Sequence, residues 1–429
     1  MMNTSKKPVA VVIAAMAGWS CCLGSLGLAE MTDQELERKA LRIGAIVEKH
    51  TLQEHGMVPM FVRASDYQLP TAEDYAGAYR HRHLHGKTEA DLGLPPMHVW
   101  RAWENTSAET GFYLGALAYQ YRCTGDPEVL RCCRRTLGAL KYIYDLGAKA
   151  MEPGFLCKPY GGKASNQSSG DQLQCVTVGL DAYRRIAGPD DAAVIGEMFK
   201  GFADYEIRND YFKPGTYFAA KLKPRYTLRS GERKPGKDWQ PGSMEWTIGI
   251  IWVQVMHQAW LSSGDTKYLR EIERLYAGCG LDNIPIGGGG RSTRDLYLPS
   301  LMMELDPWRH HIWRPMMLGS WRNAKDSIQP DGTQLVSFSR SLGPHRTGRS
   351  AQWARGMVCA QRWFPDEPMA QTARHILDEL DMSTFRFVMH PEEGKTLPPE
   401  WKVESELIDH SSLVPWLFAY WEGRFHGYW

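Results

Sequence analysis

The sequence predicts an all-α fold, an (α/α)6 toroid of helical hairpins with long loops gathered on one face. Three observations predict it. One phrase recurs: an apolar helix, a tight turn built on Gly-Asp or Pro-Asp, then an amphipathic helix. It reads ETGFYLGALAYQYRC-TGDP-EVLRCCRRTLGAL first and DQLQCVTVGLDAYRRI-AGPDD-AAVIGEMFKGF next. MEWTIGIIWVQVMHQAWLS-SGDT-KYLREIERLYAG and AQWARGMVCAQRW-FPDEP-MAQTARHILDEL follow. Second, the first helix of each pair is apolar nearly all round and the second carries charge on one side, so the first is buried and the second faces water. Third, turns within pairs are short, which lays paired helices antiparallel, while the segments leading into inner helices are long.

The elements follow in order. An outer helix is expected near 31–53. Inner helices are expected near 107–123, 169–187, 243–262, 309–324, 350–363 and 407–421. Outer helices fall near 126–146, 189–209, 265–278 and 366–380. Leu173, Val176, Leu180 and Tyr183 recur at helical spacing on one face. Gly125, Gly188 and Gly264 suit a left-handed C′ position, and the acid that follows suits an N-cap. The stretch SIQPDGTQLVSFSRSLGPHRTGRS reads as loop or strand, where an outer helix would otherwise be expected. The long segments 54–106, 147–168, 210–242 and 279–308 all lead to the N-terminal ends of inner helices. Long loops in a compact domain are usually functional, so that end of the ring is the expected site.

Bulk properties narrow the partners. The chain has 429 residues, 50 basic and 49 acidic, a net charge of +1 that argues against an obligate nucleic-acid partner. At the N-terminus, Lys6 and Lys7 precede an apolar run from Pro8 to Leu28, and small residues precede a cut after Ala29. This reads as a secretory signal over 1–29, with 30–429 as a single domain in a secreted or periplasmic protein. Seven cysteines remain beyond the leader, an odd number with no C-x-x-C pair, so free thiols are expected rather than a disulfide framework or structural zinc. Nothing in the sequence asks for a cofactor or metal. His81, His83 and His85 alternate without an acidic ligand, and the GGGG at 287–290 lacks the ending of a phosphate loop.

The architecture resembles the six-hairpin glycosidase superfamily, the (α/α)6 toroids that include unsaturated glucuronyl hydrolases and several polysaccharide lyases. The resemblance covers about 100–421 and rests on GFYLGALAYQYRCTGDPEVL and SSGDQLQCVTVGLDAYRRIAG. It implies a sugar site where inner-helix N-termini meet the long loops, with catalytic carboxylates at those helix starts.

Glycoside hydrolysis usually needs a protonated acid and an ionised carboxylate. Asp171 opens the second inner helix amid Asn166, Gln167 and Gln172; Glu104 and Glu109 flank the start of the first. Glu245 and Asp409 open the third and sixth. Ser168–Asp171 and Thr106–Glu109 also have capping-box spacing, a purely structural alternative. The preferred pair is Asp171 and Glu104, with Asp171 better suited as base because a helix N-terminus favours the carboxylate; Glu109 is held in reserve. Trp100, Trp103, Trp239 and Trp308 precede inner helices and could stack on the C–H faces of sugars, and Gln172, His311 and His410 could bind hydroxyls. The segment 213–242 carries eight basic and two acidic residues, and Arg225 and Arg229 within it could clamp a uronate or sulfate. The expected function is an exported hydrolase of an acidic, uronate-containing glycan. A lyase with a His or Tyr base (His311, His410, Tyr160 or Tyr226) and a non-catalytic glycan-binding protein are the alternatives.

Overall fold

Hairpin geometry in this chain begins at its turns. Gly125 closes the helix Thr106–Thr124 (α3) with φ 64°, a left-handed conformation that only glycine adopts at little cost. Asp126 then accepts from Glu128 N at 2.8 Å, and Pro127 starts the next helix, Pro127–Ala150 (α4). Gly264, at φ 69°, and Asp265 repeat this device between Met244–Ser263 (α7) and Lys267–Cys279 (α8). Gly188 departs from it: φ is −69°, and it serves as the extended N-cap of Pro189–Arg208 (α6), which follows Gly170–Arg184 (α5). The computed structural model describes residues 31–75, 90, 94–209, 211, 244–279, 294–337, 344–387 and 406–429.

The remaining helices are Asp33–Ile46 (α1), Met97–Trp103 (α2), Arg294–Leu305 (α9), His310–Lys325 (α10), Ser350–Gln361 (α11), Met369–Glu379 (α12) and His410–Phe425 (α13). Among the described helices, α3, α5, α7, α9, α11 and α13 form a closed inner ring in that order, with α13 returning to α3. Burial separates the layers as the pattern predicts. Residues Thr106 to Tyr119 of α3 are buried without a break, whereas α4 buries one stripe through Val129, Cys133, Leu137, Leu140 and Tyr144. The ring is tightest between α3 and α5, where a Cβ on Gly179 would stand 1.9 Å from the Gly111 carbonyl oxygen. Polar bonds tie other neighbours, such as Gln254 Nε2 to Thr177 Oγ1 at 3.1 Å and Ser300 Oγ to the Cys359 carbonyl at 2.6 Å.

The fourth hairpin corrects the sequence reading. Its inner helix is α9, in the stretch read as loop, and α10 is the outer partner. α10 buries only the stripe Ile312, Trp313, Met316, Met317, Ser320, Trp321 and Ala324. The sixth inner helix, α13, takes its outer partner from the start of the chain: Lys39 of α1 reaches the carbonyls of Leu377 and Asp378, and Arg424 pairs with Glu37.

Two small antiparallel sheets complete the described structure. Phe61–Arg63 (β1) pairs with Leu407–Asp409 (β4), with Phe61 opposite Asp409. Gln334–Ser337 (β2) pairs with Pro344–Thr347 (β3), within the stretch read as loop or strand. β4 runs directly into α13, and His410 N donates to the Met60 carbonyl, so β1 fixes where the sixth inner helix begins. Among the described residues no helix is long and apolar enough to cross a membrane. Cys123, Cys132, Cys133, Cys157, Cys175 and Cys359 are free thiols.

Candidate active site

The inner helices bring their N-terminal turns to one rim, and two polar clusters form there around the start of α3. The first joins Glu104, Asn105, Lys158 and Gln172. Gln172 Nε2 donates to the Glu104 carbonyl at 2.5 Å and contacts Asn105 Oδ1 at 3.3 Å. Lys158, almost wholly buried, sets its ammonium 3.4 Å from Glu104 Oε1. The loop that delivers it is pinned by its own backbone: Lys158 N donates to the Gln167 carbonyl, and Ser165 Oγ to the Lys158 carbonyl. Glu104 is therefore an ion-paired carboxylate.

Asp171 lies in the first turn of α5, half-buried, beside Gln172 and so on the same rim as Glu104. Neither capping box forms. α5 starts from Ser169 and α3 from Asn105, and neither cap residue makes a side-chain hydrogen bond to the helix. Both acids are thereby left for other partners.

The second cluster centres on Glu109, one helical turn beyond Asn105. Its carboxyl is 3% exposed. Oε1 is 2.7 Å from the hydroxyl of Ser411, and Oε2 is buried without a hydrogen-bond partner among the described residues. Ser411 N in turn donates to Asp409 Oδ1, and Arg349 Nε and Nη2 each lie 3.2 Å from Asp409 Oδ2. Burial is the main force on Glu109 and pushes its pKa up to about 8; Ser411 and Arg349 oppose the rise and Asp409 adds to it. A rise from 4.5 to about 8 favours the protonated form by about 5 kcal/mol. A helix start offers a carboxylate only about 0.3–2 kcal/mol, so desolvation wins and favours the protonated form of Glu109.

Several expected ligand contacts are placed elsewhere. Trp100 is 0% exposed and Trp103 is buried with it in the main apolar core, so neither offers a face to a sugar. Trp308 is 87% exposed, but it belongs to the short turn between α9 and α10, at the C-terminal end of the inner ring. His311 stands exposed in the first turn of α10, at that same far end. The α10 start packs there on the end of α11: the His310 ring is 6.4 Å from Trp363, and Arg314 donates to the Trp363 carbonyl. The cause is the shifted fourth hairpin, because outer helices begin where inner ones end. His410 is at the correct rim but is 0% exposed, and burial pulls its pKa down to about 4. Arg225, Arg229, Trp239 and Tyr226 lie outside the described residues, as do the His81–His85 cluster and the glycines at 287–290.

Lys158, Ser411 and Arg349 were not singled out for this cluster from sequence. Their partners are 54, 302 and 60 residues away in the chain. Only the helix-start position of Ser411, directly after the Asp-His pair of β4 and α13, hinted at the rim.

The axis of the ring is closed below the site. Phe112 of α3 and Tyr297 of α9, on opposite sides of the ring, meet edge-on at 5.7 Å. Arg355 of α11 stacks between them and Phe418 of α13, at 5.3, 4.3 and 4.3 Å from the three rings. Among the described residues no group of histidine, cysteine and acidic side chains could hold a metal.

No protein-family model matches the chain, and no curated protein matches it in sequence. Solved structures do match. Cellobiose 2-epimerase from Bacillus thermoamylovorans aligns with a TM-score of 0.50 at 13% identity, over 89% of this chain and 99% of that one. Cellobiose 2-epimerase from Spirochaeta thermophila aligns at 0.48 and 14% identity, over 91% and 98%. Unsaturated glucuronyl hydrolase from Streptococcus agalactiae aligns at 0.45 and 13% identity, over 92% of each chain. At such identities the likeness is one of fold alone, an (α/α)6 toroid.

Proposed function

We propose that the chain is an exported glycoside hydrolase acting on an acidic, uronate-containing oligo- or polysaccharide, with Glu109 as proton donor and Asp171 as the ionised partner. One observation carries the reading: the buried carboxyl of Glu109, whose pKa burial pushes up to about 8, lies where the inner helices start, with Oε2 unpartnered among the described residues. That is the state a glycosidic leaving oxygen requires. Glu109 gives its proton to that oxygen as the C–O bond to the anomeric carbon breaks. Asp171, half-buried at the start of α5, directs water or attacks the anomeric carbon. This moves the acid from Glu104 to Glu109, because Glu104 sits in an ion pair with Lys158. Glu104 then orients the sugar or the neighbouring amides. The anionic part of the substrate reading rests on the basic run at 213–242, and export rests on the leader-like segment 1–29.

Elimination is less well supported. Of its candidate bases, His311 is at the far rim, His410 is enclosed, and burial pushes the Tyr160 hydroxyl well above the ordinary tyrosine range.

The test is incubation with unsaturated uronyl oligosaccharides prepared by lyase digestion, and with the intact polysaccharides, while following the absorbance of the unsaturated uronate. Hydrolysis consumes that absorbance and Glu109→Gln abolishes the loss. Appearance of absorbance from intact polymer would show a lyase. Binding without any turnover would show a glycan-binding protein.

A further inference from the structure

We propose that Arg349, Asp409 and Ser411 form a positioning relay that holds the acidic proton of Glu109 on Oε2, the buried oxygen without a hydrogen-bond partner among the described residues. The proposal rests on the reading of Glu109 as proton donor and assigns three residues that do not themselves touch the reacting atoms. A neutral carboxyl has one O–H donor and one carbonyl oxygen that only accepts. The hydroxyl of Ser411 lies 2.7 Å from Oε1, and among the described residues it has no other acceptor. Once Glu109 has given up its proton the carboxylate only accepts, so Ser411 donates to Oε1 in that state. If it donates to Oε1 in the neutral state as well, no hydrogen has to turn during the transfer. The proton then belongs to Oε2, which is buried and accepts no hydrogen bond from a described residue.

Ser411 is itself fixed from three sides. Its N–H donates to Asp409 Oδ1 at 2.9 Å, its carbonyl accepts from Gln352 Nε2 at 2.8 Å, and its side chain is buried. Asp409 is held by the Arg349 guanidinium on its other oxygen and by its own N–H, which donates to the Phe385 carbonyl at 2.7 Å. Three elements therefore meet on one carboxyl: the first turn of α3, the N-cap of α11 and the β4–α13 junction. The charged groups facing Glu109 among the described residues are Asp409 and Arg349, of opposite sign. The sequence marks none of this, since each residue is also a plausible helix start.

The relay makes opposite predictions for its members. Removing the Ser411 hydroxyl withdraws a bond that favours the carboxylate, so Ser411→Ala raises the Glu109 pKa. Removing the negative charge of Asp409 lowers it, so Asp409→Asn moves it down. Arg349→Gln moves it up, and Ser411→Thr, which keeps the hydroxyl, leaves it as in the parent. The readout is the protonated-carboxyl infrared band of Glu109, isolated as the difference from Glu109→Gln and titrated with pH, which needs no substrate. Shifts of opposite sign for Ser411→Ala and Asp409→Asn support the relay. Shifts of one sign, or none, overturn it; general loosening of a buried site would move every variant toward the ordinary carboxylate range. Should Asp409→Asn fail to fold, Arg349→Gln and the Ser411 pair carry the test, and absence of a rise in both Arg349→Gln and Ser411→Ala overturns it. In turnover, Ser411→Ala lowers kcat about tenfold with KM unchanged, the loss of roughly one hydrogen bond. Opposite shifts in a protein that cleaves no glycan would sink the hydrolase reading and leave the relay standing. Cleavage with unshifted titrations would do the reverse.

Discussion

The two ends of the ring differ in how one buried acid is treated. At the C-terminal end carboxylates meet guanidinium groups. Asp181 accepts from Arg184 and Arg185, and Arg185 also reaches Glu304, which pairs with Arg362. These pairs join α5, α9 and α11, and tie the end shut. At the N-terminal end Lys158 pairs with Glu104 and Arg349 with Asp409, but Glu109, as buried as Asp181, has no cation within ion-pair distance among the described residues. Leaving an acid there uncompensated costs folding free energy, and protonation limits that cost. One buried acid without a cation, among neighbours that have theirs, marks the N-terminal end as the one built for a ligand.

The sharpest way to break this contrast is Glu109→Gln. We expect kcat to fall about 100- to 10,000-fold while the protein stays folded, measured by glycan turnover and circular dichroism. An active variant would remove the distinction between the ends.

At the closed end, Arg355→Met leaves Glu422 buried without its cation, which lies 3.8 Å away, and strips a guanidinium from three rings. Loss of one partner of such a pair costs about 3–5 kcal/mol, read as a fall in the denaturation midpoint. The pH profile of turnover in the folded fraction stays unchanged.

Gly179→Ala sharpens the comparison, because it acts on the seam that sets α3 and α5, and with them Glu109 and Asp171, side by side. A Cβ 1.9 Å from the Gly111 carbonyl forces the helices apart. We expect about 1–3 kcal/mol of destabilisation and a loss of kcat larger than stability alone explains.

The pH dependence of stability separates two rim groups. Glu109 has a raised folded pKa, so its contribution is fully present below 4.5 and is lost as pH rises through about 8, at about 1.4 kcal/mol per pH unit. His410 has a lowered one, so its contribution is present above 6.5 and is lost as pH falls through about 4. Denaturant midpoints should therefore decline less steeply between pH 5 and pH 8 in Glu109→Gln. An unchanged slope would mean that Glu109 is not a buried neutral acid. The smallest effect is expected of Trp308→Ala: within about 0.5 kcal/mol of the parent and without change in turnover, since this exposed ring lies at the end away from the site.

Much of the fold was readable because burial on all sides and burial on one side leave different residue patterns. α3, α5, α7, α11 and α13 fall where the all-round apolar runs place them. The fourth hairpin slipped by one helix. Pro299 and the glycines before α9 break its pattern, while Trp313, Met316, Met317 and Trp321 make α10 look more apolar than it is. Arg314, Arg322, Asn323 and Lys325 on its other side are the signal that identifies an outer helix. That slip carried Trp308 and His311 to the wrong rim. At the site, helix starts pointed to Glu104, Glu109 and Asp171, but their ranking depended on partners remote in sequence. Lys158 holds Glu104 and Ser411 meets Glu109, and neither pairing follows from local spacing.

The most direct measurement is a structure of Glu109→Gln soaked with a substrate from the turnover panel. The account predicts a sugar at the N-terminal rim, its glycosidic oxygen within hydrogen-bond reach of residue 109 and its anomeric carbon facing Asp171. A sugar bound at the Trp308 end, or one at the N-terminal rim that keeps its glycosidic oxygen away from residue 109, would contradict it.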